Sequence, residues 1–262
     1  MERDSVKTNY NDKGTIIMEM IYADDYLSPG GASATESLAD FGEIKDSLIV
    51  LDIGSGLGGA AFYLAEQKGC SVQGIDLMES NVVEANQRAD VKGLSERVHF
   101  VHGDAISLPF ESRRFDLVWG QDAWCHVEDK KKLILEASRV LVPQGRIVFS
   151  DWLLRDTKSS LCDEVRRVTA SPDIGDAQMY RNLLEEQGLE LQKYADTSVE
   201  FVARYRDVLQ RLHALEPEIR SRFGQKVFEI VLSKQQFVLD AFEGGVMGAG
   251  FFVAGRGRPD HV

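Results

Sequence analysis

The stretch LDIGSGLGG at 51–59 stands between a β-branched apolar run, SLIVLD, and a segment with helical spacing, GGAAFYLAEQKG. Gly54, Gly56 and Gly59 satisfy the spacing G-x-G-x-x-G. Glycines at a strand-to-helix turn let the backbone come close to a ligand at the switch point of a doubly wound sheet. The spacing alone is a weak signal, shared by dinucleotide-binding dehydrogenases and by other nucleoside-cofactor enzymes.

Outward from that loop the chain alternates. CSVQGIDL, VHFVHGDA, FDLVWGQD and GRIVFSDWLL read as strands, and VVEANQRADVKG and KKLILEASRVL as helices between them. Such alternation predicts a parallel sheet with helices on both faces. Pro143–Gly145 reads as the break between the last of these helices and its strand. LELQKYADTS and MGAGFFVAGR look like two further strands, with mostly helical sequence around them. The expected fold is α/β, a doubly wound seven-stranded sheet. Its parts are an N-terminal cap over 1–47, with a helix over TIIMEMIYADDYL, a cofactor-binding core over 48–156, and a helical lid and substrate region with the final strands over 157–262.

The chain has 262 residues, and its 42 Asp and Glu outnumber 30 Lys and Arg for a net charge of −12. That field repels nucleic acid, so a polyanionic substrate is not expected. Three widely separated cysteines, Cys70, Cys125 and Cys162, suit neither a disulfide framework nor a zinc site, and no metal is expected. No apolar run reaches membrane-spanning length, and the N-terminal residues are too polar for a signal peptide. A cytoplasmic monomer or homodimer without a membrane partner is the expectation.

Asp52 separates the candidate cofactors. It lies two residues before Gly54, where a carboxylate would face a pyrophosphate bound at the helix N-terminus. S-adenosylmethionine carries no phosphate, and the ammonium and sulfonium of its methionine end favour a nearby carboxylate. Asp76 ends the second strand, where it suits both ribose hydroxyls, and Asp104 ends the third, where it suits the adenine amino group. Three acids at three successive strand ends make one site, although each alone is more often a helix N-cap.

Over residues 48–153 this constellation resembles the class I S-adenosylmethionine-dependent methyltransferases. The resemblance implies an antiparallel last strand in MGAGFFVAGR. It also implies that Asp52, Gly54 and Gly56 shape the methionine pocket, Asp76 with Leu77 the ribose pocket, and Asp104 with Ala105 the adenine pocket. In that fold the fourth strand ends beside the methyl group, which gives WGQDAWCHV its interest. Asp122 suits either the cofactor's ammonium or a substrate cation. Trp124 is either lid packing or a cation–π surface for an amine. His126 is either a catalytic group or a histidine satisfying a nearby carbonyl. Cys125 reads as filler.

TNYNDKGTIIMEMIYADDYLSPGG, followed by the glycine loop, resembles the opening of phosphoethanolamine N-methyltransferases. That resemblance implies a catalytic latch of Tyr10 and His126, with Asn9 and Ser28 at the cofactor. The lid departs from that family's phosphate grip: TSVEFV lacks a tyrosine and the last strand has no lysine. From QDAWCHVEDKKKLILEASRVLVPQGRIVFSDWL onward, with MYRNLLEEQGLEL, the chain resembles sarcosine/dimethylglycine N-methyltransferases. Their small amino-acid acceptors carry one carboxylate, for which Arg181 and then Arg167 are the candidates beside Tyr180, each arginine equally readable as a solvated helix charge. The reading is therefore S-adenosylmethionine-dependent N-methylation of a small amine, sarcosine or dimethylglycine first. Its alternatives are a phosphoethanolamine-type enzyme and a C- or O-methyltransferase of a small natural product. A dehydrogenase and a non-catalytic binding protein are the rival classes.

Overall fold

The computed structural model describes residues 12–256. Seven strands form one sheet in the order β3-β2-β1-β4-β5-β7-β6. They are β1 (Ile49–Ile53), β2 (Ser71–Asp76), β3 (Val98–His102), β4 (Phe115–Gln121), β5 (Leu141–Leu154), β6 (Glu190–Asp196) and β7 (Met247–Gly255). β1 through β5 pair in parallel, and β7 runs antiparallel between β5 and β6. The expected antiparallel last strand is present.

Sequence pattern explains the central strands. Four of the five residues of β1, and every residue of β7, are buried, so both read as continuous rather than alternating apolar runs. β6 at the sheet edge alternates exposed and half-buried residues instead. One face of the sheet is covered by α2 (Gly31–Phe41), α3 (Gly59–Lys68) and α4 (Glu79–Lys92), the other by α5 (Lys130–Val140) and α7 (Ala177–Glu186).

A third apolar cluster lies beyond the sheet. It joins α1 (Asp12–Ile21), α6 (Cys162–Thr169), α8 (Ser198–Ala214), α9 (Glu216–Phe223) and α10 (Gln225–Glu243). β5 reaches into it, because its last four residues run past the end of β4 and pair with Met247–Gly250 of β7. Trp152 and Leu154 thereby tie the sheet to the helices. Full burial of each such side chain stabilises the fold by about 1.5–3 kcal/mol.

Two local expectations are corrected. The helix read over 15–27 stops at Ile21. Asp25 takes a left-handed conformation (φ 69) in a tight turn closed by an Ala23–Tyr26 bridge, which an aspartate tolerates and a helix does not. Pro143–Gly145 does not separate helix from strand. It lies inside β5, where a register shift opposite Phe115–Leu117 accommodates a residue with no N–H to donate.

Candidate active site

The carboxyl ends of β1 to β4 open into one cavity. Ser28, Asp52, Gly54, Gly56, Asp76, Leu77, Asp104, Ala105 and Asp122 all line it. Gly54 has φ +83, and a Cβ there would come within 2.5 Å of the Ala123 Cβ, so the loop tolerates no side chain at this position.

The loop amides have partners within the protein. Gly54 and Ser55 donate their N–H groups to the Ile75 carbonyl at 2.9 and 3.1 Å, and Gly59 donates to the Asp25 carbonyl at 3.1 Å. Gly56 donates to the Asp76 carboxylate at 2.8 Å. These are the donors a pyrophosphate would need, and a carboxylate occupies the heart of the turn. The dehydrogenase reading loses its anion site.

Three buried polar atoms that line the cavity, Asp52 Oδ2, Ser55 Oγ and Gln121 Nε2, have no hydrogen-bond partner among the described residues. Buried polar atoms in a native fold are nearly always satisfied, so these await a ligand or solvent. A carboxylate, a hydroxyl and an amide match the ammonium and carboxylate of a methionine moiety. Burial, with the Asp76 charge adding to it, pushes the Asp52 pKa up to about 7. A cation brought beside it restores the ionised form. Asp76 itself is anchored by the amides of Gly56 and Met78, each at 2.8 Å. These residues fit S-adenosylmethionine.

Asp122 and His126 stand at the next boundary. Asp122 has φ 51 at the end of β4, and its Oδ1 accepts from Ser150 Oγ at 2.7 Å. Burial pushes its pKa up to about 6, against the Ser150 hydrogen bond and the attraction of Arg204. His126 ends a 3₁₀ turn over Trp124–His126, and its Nδ1 lies 3.1 Å from the Ala170 carbonyl. The carbonyl-satisfying reading of His126 is therefore observed. It does not exclude the catalytic one, because the imidazole also lines the cofactor cavity. Burial pushes its pKa down to about 4, opposed by the Ala170 carbonyl and assisted by the Lys130 charge.

A second chamber lies beneath the helices. Leu27, Ser28, Asp122 and His126 line both it and the cofactor cavity. Its far wall brings Tyr22 and Trp152 together with Tyr205 of α8 and Lys234 and Gln235 of α10. Tyr22 donates to Gln235 Oε1 at 3.3 Å and also engages the Tyr205 hydroxyl. None of these five had been singled out from the sequence. No motif marks any of them, and nothing local distinguishes Lys234 from the other charges of an amphipathic helix.

The other expected acceptor contacts lie elsewhere. Trp124 belongs to the cavity wall, but its ring is fully buried, stacks on Phe149 at 4.4 Å and donates its N–H to the Ile53 carbonyl at 3.2 Å. Tyr180 is a core residue whose hydroxyl donates to Asp151. Arg167 is 72% exposed and pairs with Glu164 at 3.3 Å. Neither Arg167 nor Arg181 lines either chamber. Position along a helix sets a side chain's face only relative to that helix's own axis. Asn9 and Tyr10 lie outside the described residues.

Comparison with known proteins agrees with this geometry. Residues 51–149 match the family model of a methyltransferase domain. Phosphoethanolamine N-methyltransferase of Plasmodium falciparum is 30% identical over 232 residues, covering 84% of this chain and 82% of that protein. Glycine/sarcosine/dimethylglycine N-methyltransferase of Actinopolyspora halophila is 31% identical over 186 residues, covering 70% of this chain and 33% of that one. The chain spans about half (48%) of phosphoethanolamine N-methyltransferase 1 of Zea mays, to which it is 27% identical. In fold it matches Haemonchus contortus phosphoethanolamine N-methyltransferase 2, solved with phosphomonomethylethanolamine and S-adenosylhomocysteine. The TM-score is 0.89 at 24% identity, over 98% of this chain and 61% of that one. With an acid-lined cavity shaped for a cationic nucleoside and these relatives, the chain belongs to the S-adenosylmethionine-dependent methyltransferases.

Proposed function

We propose that the protein transfers a methyl group to the nitrogen of a small amine that carries one carboxylate, with sarcosine or dimethylglycine as the model acceptors. The observation that carries this reading is the pair of chambers meeting at Asp122 and His126. The outer one suits the cofactor and the inner one a small acceptor. Among the described residues Lys234 is the cationic side chain of the inner wall, and the hydroxyl of Tyr22 is already engaged with Gln235 and Tyr205. One ammonium matches a carboxylate, whereas a phosphate monoester carries nearly two charges and calls for more donors.

S-adenosylmethionine, when bound, supplies an electrophilic methyl group on sulfur. The protein's share is to align the acceptor nitrogen, exclude water and remove one proton from the amine. The Ala170 carbonyl can only accept, so His126 carries its hydrogen on Nδ1 and leaves Nε2 as the acceptor. With its pKa held near 4, the imidazole stays neutral and relays a proton rather than storing it. Tyr10 is the proposed partner in that relay. Asp122 faces the cation, and the aromatic walls of Trp152 and Tyr205 lower the dielectric around the amine.

Phosphoethanolamine is the second reading, favoured by the Plasmodium falciparum relative that the chain covers to 82%. Incubation with labelled S-adenosylmethionine and a panel of glycine, sarcosine, dimethylglycine and phosphoethanolamine, read by product mass, tests both. Methylated amino acid supports the first reading and methylated phosphoethanolamine the second. Label in neither, with transfer to a carbon or oxygen acceptor, overturns both.

A further inference from the structure

Beneath the turn that carries His126 lies a cluster of buried polar groups with no part in the chemistry above. Asp151 and Tyr180 are fully buried, and Lys130 is 2% exposed. Asp151 Oδ1 accepts from the backbone N–H of Cys125 at 2.9 Å, and its Oδ2 accepts from the Tyr180 hydroxyl. Lys130 Nζ donates to the carbonyls of Val127 at 2.6 Å and Cys125 at 3.4 Å. An acidic and a basic side chain thus hold the backbone of Cys125 and Val127, the residues on either side of His126.

We propose that Lys130 and Asp151 form a buried clamp whose role is to position His126 for methyl transfer. The proposal rests on the catalytic reading of His126.

Burying charge is costly, and apolar side chains of similar volume fill such a space at least as stably. Lys130 is also the first residue of α5, the end of a helix dipole that repels a cation. Stability alone does not account for two such groups converging on two residues. Geometry does. Each backbone hydrogen bond fixes a peptide plane, and rotation of either plane swings the imidazole out of line. A displacement of about 1 Å at a reacting group reduces turnover on the order of 100-fold. His126 N–H donates to the Ala123 carbonyl at 3.2 Å and Val127 N–H to the Trp124 carbonyl at 2.9 Å, so the clamp completes the fixation of this turn. Lys130 also adds its positive charge to the field at the imidazole, which a neutral clamp would not.

The test uses the full chain and the best acceptor from the panel. Lys130→Met and Asp151→Ala are compared with Asp151→Asn, which keeps an oxygen for the Cys125 N–H, and with the exposed Lys131→Met as control. Lys130→Met and Asp151→Ala are expected to lower kcat by about tenfold or more while the Kd for S-adenosylhomocysteine changes by less than about threefold. Asp151→Asn recovers part of the loss. In Lys130→Met the acidic limb of the pH–rate profile moves to higher pH. The other charged or ionisable groups around the imidazole stay in place: Asp122 and Glu128 on its own segment, Tyr22, Tyr205 and Lys234 along the cavity walls, and Asp151 of β5 on the Cys125 amide. An unchanged kcat in folded Lys130→Met overturns the clamp. So does a loss of kcat matched by an equal loss of S-adenosylhomocysteine affinity. If Lys130→Met does not fold, Tyr180→Phe, which removes only the hydroxyl on Asp151, is held to the same two criteria. His126→Ala separates the levels: full turnover there removes the catalytic reading itself, whereas an inactive His126→Ala beside a normal Lys130→Met removes the clamp alone.

Discussion

His126 Nδ1 and the Ala170 carbonyl oxygen, 3.1 Å apart, join the fourth-strand turn to the end of α6. Ala170 holds a left-handed conformation (φ 54) that brings this carbonyl to the imidazole. The contact orients the ring and places the Nδ1 hydrogen on the carbonyl, as the proposed relay through Nε2 requires. Replacing His126 by Ala is expected to lower kcat by about 100- to 10,000-fold, in the range of a lost general base. S-adenosylhomocysteine affinity by calorimetry should barely change. Tyr10→Phe is expected to act in the same direction, and normal rates in both variants would mean that neither residue relays the proton.

Binding of the cofactor should release a proton. The folded pKa of Asp52, about 7, lies above its ordinary value of 3.8, so the ionised carboxylate is disfavoured in the empty site. Its contribution to stability is present below pH 4 and is lost as pH rises through 7. A cationic ligand reverses that preference. Affinity for S-adenosylmethionine is therefore expected to strengthen by about tenfold between pH 6 and 8, as one group titrates. Calorimetry in two buffers of different ionisation enthalpy reads the released proton. Asp52→Asn should bind more weakly and lose that difference. A difference that persists in Asp52→Asn assigns the proton to another group, with Asp122 next in line.

Acceptor binding isolates Lys234. Lys234→Met should raise the acceptor KM by about tenfold or more, the range of a hydrogen bond to a charged group, with little change in kcat. Arg167→Ala and Arg181→Ala should leave both constants near normal, since neither residue lines the chamber. An effect at Arg181 with none at Lys234 would return the carboxylate to the position expected from sequence.

Arg88 of α4 ties the N-terminal helix to the core. Its guanidinium reaches Glu19 of α1, at 3.1 Å through Nη2, and Asp25 at 3.0 Å, while Lys92 joins Asp25 at 2.9 Å. Asp25 in turn begins the segment through Ser28 that lines the cofactor cavity. Arg88→Met should weaken cofactor binding by about fivefold, on the order of 1 kcal/mol for a partly exposed ion pair. Added salt should weaken the parent protein toward the variant. Equal affinities at low salt would show that cofactor binding does not depend on this network.

The strands, the glycine loop and the acids at the strand ends were all legible, because each depends on residues adjacent in the chain. Asp52, Asp76 and Asp104 needed only the strand–turn–helix rhythm to be placed at one end of the sheet. The break read at Pro143 failed for a nonlocal reason, since only pairing with Phe115 and Leu117 turns that stretch into a bulge. Arg181 and Tyr180 stand away from both chambers for a reason of the same kind. Periodicity tells which residues share a helix face, but not what that face meets.

By itself, then, the sequence determined the nucleoside cofactor and the glycine loop and acids that line one cavity, through short-range turns and charge at strand ends. Only the tertiary structure forms the second chamber, because its walls combine the N-terminal segment, the ends of β4 and β5 and the helices near the last strands, brought together by packing. Lys234 and His126, far apart in the chain, line one chamber, and the buried Lys130 and Asp151 gain meaning from burial, which no local pattern encodes.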